Sequence, residues 1–216
     1  LFRSDELVDE LRLCVIEHGG IAIMLLPSED TMCFNQSDDG DDTILSSEEI
    51  CDLHAQVDLC DGIILQGGDY SCSYEVEIAK YALQKDLPLI GICAGFNNIL
   101  RALGSDVVED PLKSHSVYDK DYRHDISIVK GSLLYDIIAC PSYRVNSFHT
   151  MVADKESVEP FAQICAYSSD SLVESFTLKD KKFVLAMKWH PELMMSEPYV
   201  DRLFEKYMEA CKKEKE

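Results

Sequence analysis

Three features of the 216-residue sequence predict an α/β fold with a mostly parallel sheet and an additional antiparallel strand region. Short runs at 62–66 and 88–92 that read as buried strands each lead to a segment with helical periodicity, as in βα units whose strands are buried on both faces. Both runs end on glycines, at Gly67-Gly68 and at Gly91-x-Cys93-x-Gly95, where open α/β sheets place their sites. Beyond Gly104 strand-like runs follow one another directly, at 125–130, 144–149, 162–168, 172–178 and 183–189, with a short helical turn at 133–138.

The chain opens on a helical stripe over 1–18 that stops at Gly19-Gly20. A buried strand is expected at 21–26, before Pro27. Right-handed βαβ units begin with a strand, so a first strand upstream of Leu1 is expected as well. The segment 28–47 is polar, and its SDDGDD run does not follow the spacing of a calcium loop, so it reads as a solvated acidic loop. Helices are expected at 48–57 and 75–85, and an amphipathic one over 198–212 carrying Tyr199, Leu203, Tyr207 and Cys211. Residues 179–182 read as a hairpin turn. The triplet Arg123-His124-Asp125 is set aside as chance. All of this fits one domain over residues 1–216.

Twenty basic against forty acidic residues give a formal charge of −20, which argues against a nucleic-acid or anionic-membrane partner. Nine cysteines, an odd number, stand at positions 14, 33, 51, 60, 72, 93, 140, 165 and 211, with no C-x-x-C pair and no zinc spacing among 51, 60 and 72. With neither a signal-peptide pattern nor an apolar run of about 18 residues, a reduced, cytoplasmic protein is expected. No metal and no cofactor are expected.

The stretch 88–104, PLIGICAGFNNILRALG, carries the chemistry. A strand that turns straight into a helix brings backbones together at the flanking positions, so Gly91 and Gly95 frame Cys93. The residue at such an apex holds a strained backbone, which a fold tolerates mainly where the exposed side chain reacts. Cys93 is therefore the candidate nucleophile. The first turn of the following helix favours its thiolate by about 0.3–1 kcal/mol, up to about 2 when partly buried, too little without a base. That base is read in His190-Pro191-Glu192: the proline ends the strand at 183–189, and the i, i+2 spacing lets Glu192 reach the His190 ring.

DGIILQGGD (61–69), LPLIGICAGFNNIL (87–100), VNSFH (145–149) and KWHPE (188–192) resemble the four blocks of class I glutamine amidotransferase-like proteins. Their order is most similar to the γ-glutamyl-γ-aminobutyrate hydrolase branch, the C26 peptidases. The resemblance covers residues 5 to about 210. It implies a flavodoxin-like three-layer sandwich and a triad of Cys93, His190 and Glu192, with the N–H groups of Gly68 and Ala94 as oxyanion hole. It also places Gly67, Asn97, Ser147, Phe148 and His149 at the substrate. The implied reaction is cysteine-dependent hydrolysis of a γ-glutamyl amide through a thioester on Cys93. The alternatives are a glutaminase module that passes ammonia to a synthase partner, and a non-catalytic binding or thiol-sensor domain. A homodimer is compatible with each reading. This chain departs from many relatives at Ala94, where arginine is common, at Asn97 in place of glutamine, at Thr150-Met151 in place of His-Gln, and in a short loop after Asp69.

Overall fold

A computed structural model describes residues 8–27, 44–68, 72–112, 114–117, 119 and 121–212. The acidic run SDDGDD, the tip of the loop after Gly68, Cys33 and the last four residues lie outside these.

The strands β1 (Ile63–Leu65), β2 (Leu89–Ile92), β4 (His124–Ile128), β5 (Ser142–Val145), β7 (Gln163–Ser168), β8 (Val173–Thr177) and β9 (Val184–Met187) form one sheet in the order β1-β2-β9-β8-β7-β4-β5. The pairs β1–β2 and β2–β9 are parallel, and the four pairs from β9 to β5 are antiparallel. The change of character read after Gly104 is thus the passage from the parallel half of the sheet to its antiparallel half. A second, two-stranded sheet joins β3 (Val108–Glu109) to β6 (Met151–Val152).

Alternation along the central strands builds three layers. On β9, Val184 and Ala186 enter one core with helices α2 (Ser47–Val57), α3 (Ser73–Gln84) and α4 (Ala94–Ala102). Leu185 and Met187 enter the other, with α1 (Asp9–Glu17), α5 (Leu133–Ile138) and α7 (Pro198–Cys211). A four-residue α6 (Lys155–Val158) completes the helices. Local rules set their ends. Ser46 and Glu49 form a capping box on α2, and α1 stops where Gly19 takes φ +81° and Gly20 N–H bonds back to the Val15 carbonyl.

The strand expected at 21–26 does not form. Among the described residues no strand lies beside it: Ile21 is 87% and Ile23 59% exposed, and a cavity of about 640 Å³ lies among Leu11, Ile21, Ile23, Ile64 and Tyr207. An apolar run becomes a strand only when its N–H and C=O groups find a neighbour.

One buried carboxyl between helices supplies a stability prediction. Glu75 on α3 accepts from Asn98 Nδ2 on α4 at 2.5 Å. Burial raises its pKa well above the ordinary value, with the neighbouring Cys72 adding to the rise and the Asn98 bond opposing it. The folded state therefore keeps a proton that the unfolded chain releases, so this contribution to stability is full below the unfolded pKa and is lost as pH rises through the folded one. Glu75→Gln keeps the acceptor and removes the ionisation. Its urea midpoint is expected to exceed that of the parent at about pH 8, with the gap closing toward pH 4.

Candidate active site

Cys93 follows β2 directly and has φ 51° and ψ −99°, one of four positive-φ non-glycine residues among those described. A conformation of this kind costs roughly 1–3 kcal/mol. Its neighbours explain why glycine flanks it. A Cβ on Gly91 would stand 2.6 Å from Ile99 Cδ1 and 2.7 Å from the Gly95 carbonyl, and one on Gly95 would collide with the Leu65 carbonyl oxygen. The elbow is thus wedged between its own helix and β1.

The parallel pairing of β2 with β9 delivers the histidine. Ile92 lies opposite Met187, and Cys93 N–H donates to the Met187 carbonyl at 2.8 Å. His190 comes three residues later, where Pro191 opens a short 3₁₀ turn, Pro191–Met194. His190 Nδ1 lies 2.7 Å from Glu192 Oε1, and a side-chain hydrogen bond joins the ring to Cys93. With Nδ1 taken by Glu192, Nε2 serves the thiol. Burial alone would lower the pKa of His190, but Glu192 and Cys93 outweigh it and raise it to about 10. Both groups thus favour the protonated ring.

Three further residues hold this histidine. Asn146 clamps the His190 backbone twice: Nδ2 donates to its carbonyl at 2.9 Å, and Oδ1 accepts its N–H at 2.8 Å. Gly67, at the end of β1, touches the ring so closely that any Cβ would collide with His190 Cε1. Phe148 packs edge-on against the same ring, with centroids 5.6 Å apart. Gly68 follows Gly67 in the chain, and Ala94 opens α4, where the first N–H groups have no acceptor within the helix.

Three of the residues expected at the substrate each have one polar side-chain atom engaged within the protein. Asn97 Oδ1 accepts from Lys188 Nζ at 2.6 Å, Ser147 Oγ donates to the His115 carbonyl at 2.7 Å, and His149 Nδ1 lies 3.0 Å from the Met151 carbonyl. Lys188 itself is wholly buried; burial lowers its pKa to about 8, against opposing pulls from Cys93 and Glu174. Sequence reading passed over Asn146, Lys188 and Glu174. For the last two a signal existed: each is a charged residue at a buried position in or directly after a strand.

The arrangement of layers, elbow and Cys–His–Glu group is that of a class I glutamine amidotransferase-like domain. Among solved structures, a glutamine amidotransferase from Methylobacillus flagellatus aligns with 80% of this chain and 82% of its own at TM-score 0.59 and 12% identity. The glutaminase domain of Trypanosoma brucei CTPS with bound acivicin covers 78% and 79% at TM-score 0.58 and 18% identity. Both likenesses concern the fold. The Peptidase C26 family model matches residues 9–192, and the chain belongs to that family. Gamma-glutamyl-gamma-aminobutyrate hydrolase PuuD of Escherichia coli is 31% identical over 148 residues, 62% of this chain and 58% of its own length. The chain therefore spans somewhat over half of that relative. A glutamine-hydrolyzing GMP synthase subunit from Sulfurisphaera tokodaii is 26% identical over 157 residues, 71% of this chain and 78% of its own.

Proposed function

We propose that this protein hydrolyses the side-chain amide of a γ-glutamyl compound through a thioester on Cys93. The observation that carries the reading is the buried thiol on a strained elbow, hydrogen-bonded to a histidine whose other nitrogen is held by Glu192, in a Peptidase C26 chain. Cys93 Sγ attacks the side-chain carbonyl carbon as thiolate, and the oxyanion accepts hydrogen bonds from the N–H groups of Gly68 and Ala94. His190 gives its proton to the departing amine as the C–N bond breaks, leaving the γ-glutamyl thioester. It then takes a proton from water, whose oxygen attacks the thioester; the C–S bond breaks, glutamate leaves and the thiolate–imidazolium pair is restored. Gly67 and Phe148, which touch the His190 ring, line the pocket, while Asn97, Ser147 and His149 shape it from behind.

The test is a panel of γ-glutamyl amides, glutamine included, given to the isolated protein, with released glutamate followed by mass. Steady turnover of at least one member is expected, and stoichiometric labelling of Cys93 by a glutamine-like diazo-ketone should stop it. Absence of turnover together with an unlabelled Cys93 would overturn the reading.

The likeness to the GMP synthase protein of Sulfurisphaera tokodaii, over 78% of its length, favours one second reading, a glutaminase that delivers ammonia to a synthase partner. It predicts negligible turnover alone, a labelled Cys93, and strong stimulation by a co-purifying protein.

A further inference from the structure

Away from Cys93, four side chains from four segments converge on one point in the antiparallel half of the molecule. His115 lies between β3 and β4, His124 opens β4, His149 follows β5, and Glu174 stands on β8. His115 Nδ1 is 3.4 Å from Glu174 Oε1, His149 Nε2 is 3.8 Å from the same oxygen, and His124 Nε2 is 4.0 Å from Glu174 Oε2. One atom each from His115, His124 and Glu174 falls within a mutual distance of 4.8 Å. His115, His149 and Glu174 are 5%, 4% and 0% exposed, yet none of these three nitrogens and neither carboxylate oxygen has a hydrogen-bond partner. Five buried polar atoms left so would each cost on the order of 1–3 kcal/mol.

The outer contacts say which way the lone pairs point. His115 Nε2 lies 3.1 Å from Asp170 Oδ2, and a carboxylate only accepts, so Nε2 carries a proton and in the neutral ring that a metal binds the Nδ1 lone pair faces inward. His149 Nδ1 faces the Met151 carbonyl in the same manner, which turns the Nε2 lone pair inward. Asp170 is itself held by the Ser168 hydroxyl. The buried Lys188 ammonium directs two of its N–H groups at Asn97 and the Met151 carbonyl. The centre is therefore ringed by acceptors: two nitrogen lone pairs, the unpartnered His124 nitrogen and a carboxylate. A carboxylate–histidine pair behind an inward lone pair is the arrangement that orients metal-bound imidazoles.

We propose that His115, His124 and Glu174, with His149 on the fourth side, form a binding site for one divalent transition-metal ion of the zinc type. Imidazole with carboxylate suits zinc and its neighbours, whereas calcium and magnesium take all-oxygen sets. In a tetrahedral site with bonds of about 2.0–2.1 Å the ligand atoms stand roughly 3.3 Å apart; here each nitrogen is 3.4–4.0 Å from a Glu174 oxygen and the trio lies within 4.8 Å, so the side chains draw in by up to about 1.5 Å on binding the ion. The cysteine spacings that carry no zinc pattern have no bearing on it, since no cysteine takes part. The ion pins the segment around His115 to β4 and β8 and to the 146–149 segment, which is already tied to it by the Ser147–His115 bond and the Ser116–Phe148 bridge. Its role is structural: it braces the strip whose Phe148 leans on His190.

The test is cobalt uptake by the full chain after dialysis against a chelator. One equivalent of Co²⁺ is expected, with visible bands of a tetrahedral ion and no sulfur-to-cobalt charge transfer in the near ultraviolet. Zinc should displace it and raise the melting temperature. Glu174→Gln and His124→Ala are each expected to weaken Co²⁺ at least about 100-fold, and Asp170→Asn about 10- to 100-fold. Should Glu174→Gln fail to fold, His124→Ala and Asp170→Asn decide. No stoichiometric uptake by the parent protein overturns the proposal, and so does a thiolate-type spectrum that persists in His124→Ala.

Discussion

Cys93→Ala is expected to leave the fold intact and to lower γ-glutamyl amide hydrolysis by at least about 10⁴-fold, the scale on which removal of a nucleophile acts in triad enzymes. The small change should not disturb the elbow, because the Cβ and the backbone at φ 51° stay as they are. What disappears is the sulfur that hydrogen-bonds His190, together with one of the influences holding that ring protonated. The N–H groups of Gly68 and Ala94 proposed for the oxyanion remain, so a small residual rate through direct attack by water is expected. Turnover of the panel and a urea unfolding curve on the same preparation check both halves. Equal rates for the variant and its parent would remove Cys93 from the reaction.

Gly95→Ala is expected to act through the fold. Its Cβ would collide with the Leu65 carbonyl oxygen and stand 2.8 Å from Leu65 C and Cβ, so α4 has to back away from β1. Backbone is the obstacle, not the flexible end of a side chain, and overpacking of this kind costs about 3 kcal/mol, a large part of the 5–15 kcal/mol that holds a typical domain together. The start of α4 carries both Cys93 and Ala94, so whatever remains folded should also turn over roughly 100-fold more slowly, as expected for a displacement near 1 Å. Gly104 supplies the control: an added Cβ there meets nothing within 4 Å, and only its φ of +91° opposes alanine. Gly104→Ala should cost about 1–2 kcal/mol and leave the rate unchanged. The account of the elbow fails if Gly95→Ala unfolds within about 0.5 kcal/mol of the parent.

The parts of the site legible in the amino-acid order are those set by contacts close along the chain. The steric demand at Gly91 and Gly95 is one, since it arises from the turn of a strand into the next helix. The ordering of His190 by Glu192 across a proline is another, because it spans two residues. Apolar runs of the right length likewise revealed the strands at 62–66, 88–92, 162–168, 172–178 and 183–189, since burial on both faces writes itself into consecutive positions; the half-exposed strand expected at 144–149 forms instead over Ser142–Val145.

What the residue order left open depended on neighbours far apart in the chain. The run 21–26 has strand composition but no neighbouring strand among the described residues, and backbone pairing, not propensity, decides whether a strand exists. Cys93 and His190 are brought together by β2 lying parallel to β9, a pairing that no local spacing encodes. The convergence of His115, His124, His149 and Glu174 is the furthest case. Each looks unremarkable in its own segment, and only the antiparallel folding of β4, β5, β7 and β8 turns four scattered polar residues into one cluster. Residue order alone determined the elbow, the ordered histidine and the layered α/β class, because those follow from sterics and burial within a few positions. The tertiary structure decided which distant groups meet, because strand order and register are settled by the packing of the whole sheet.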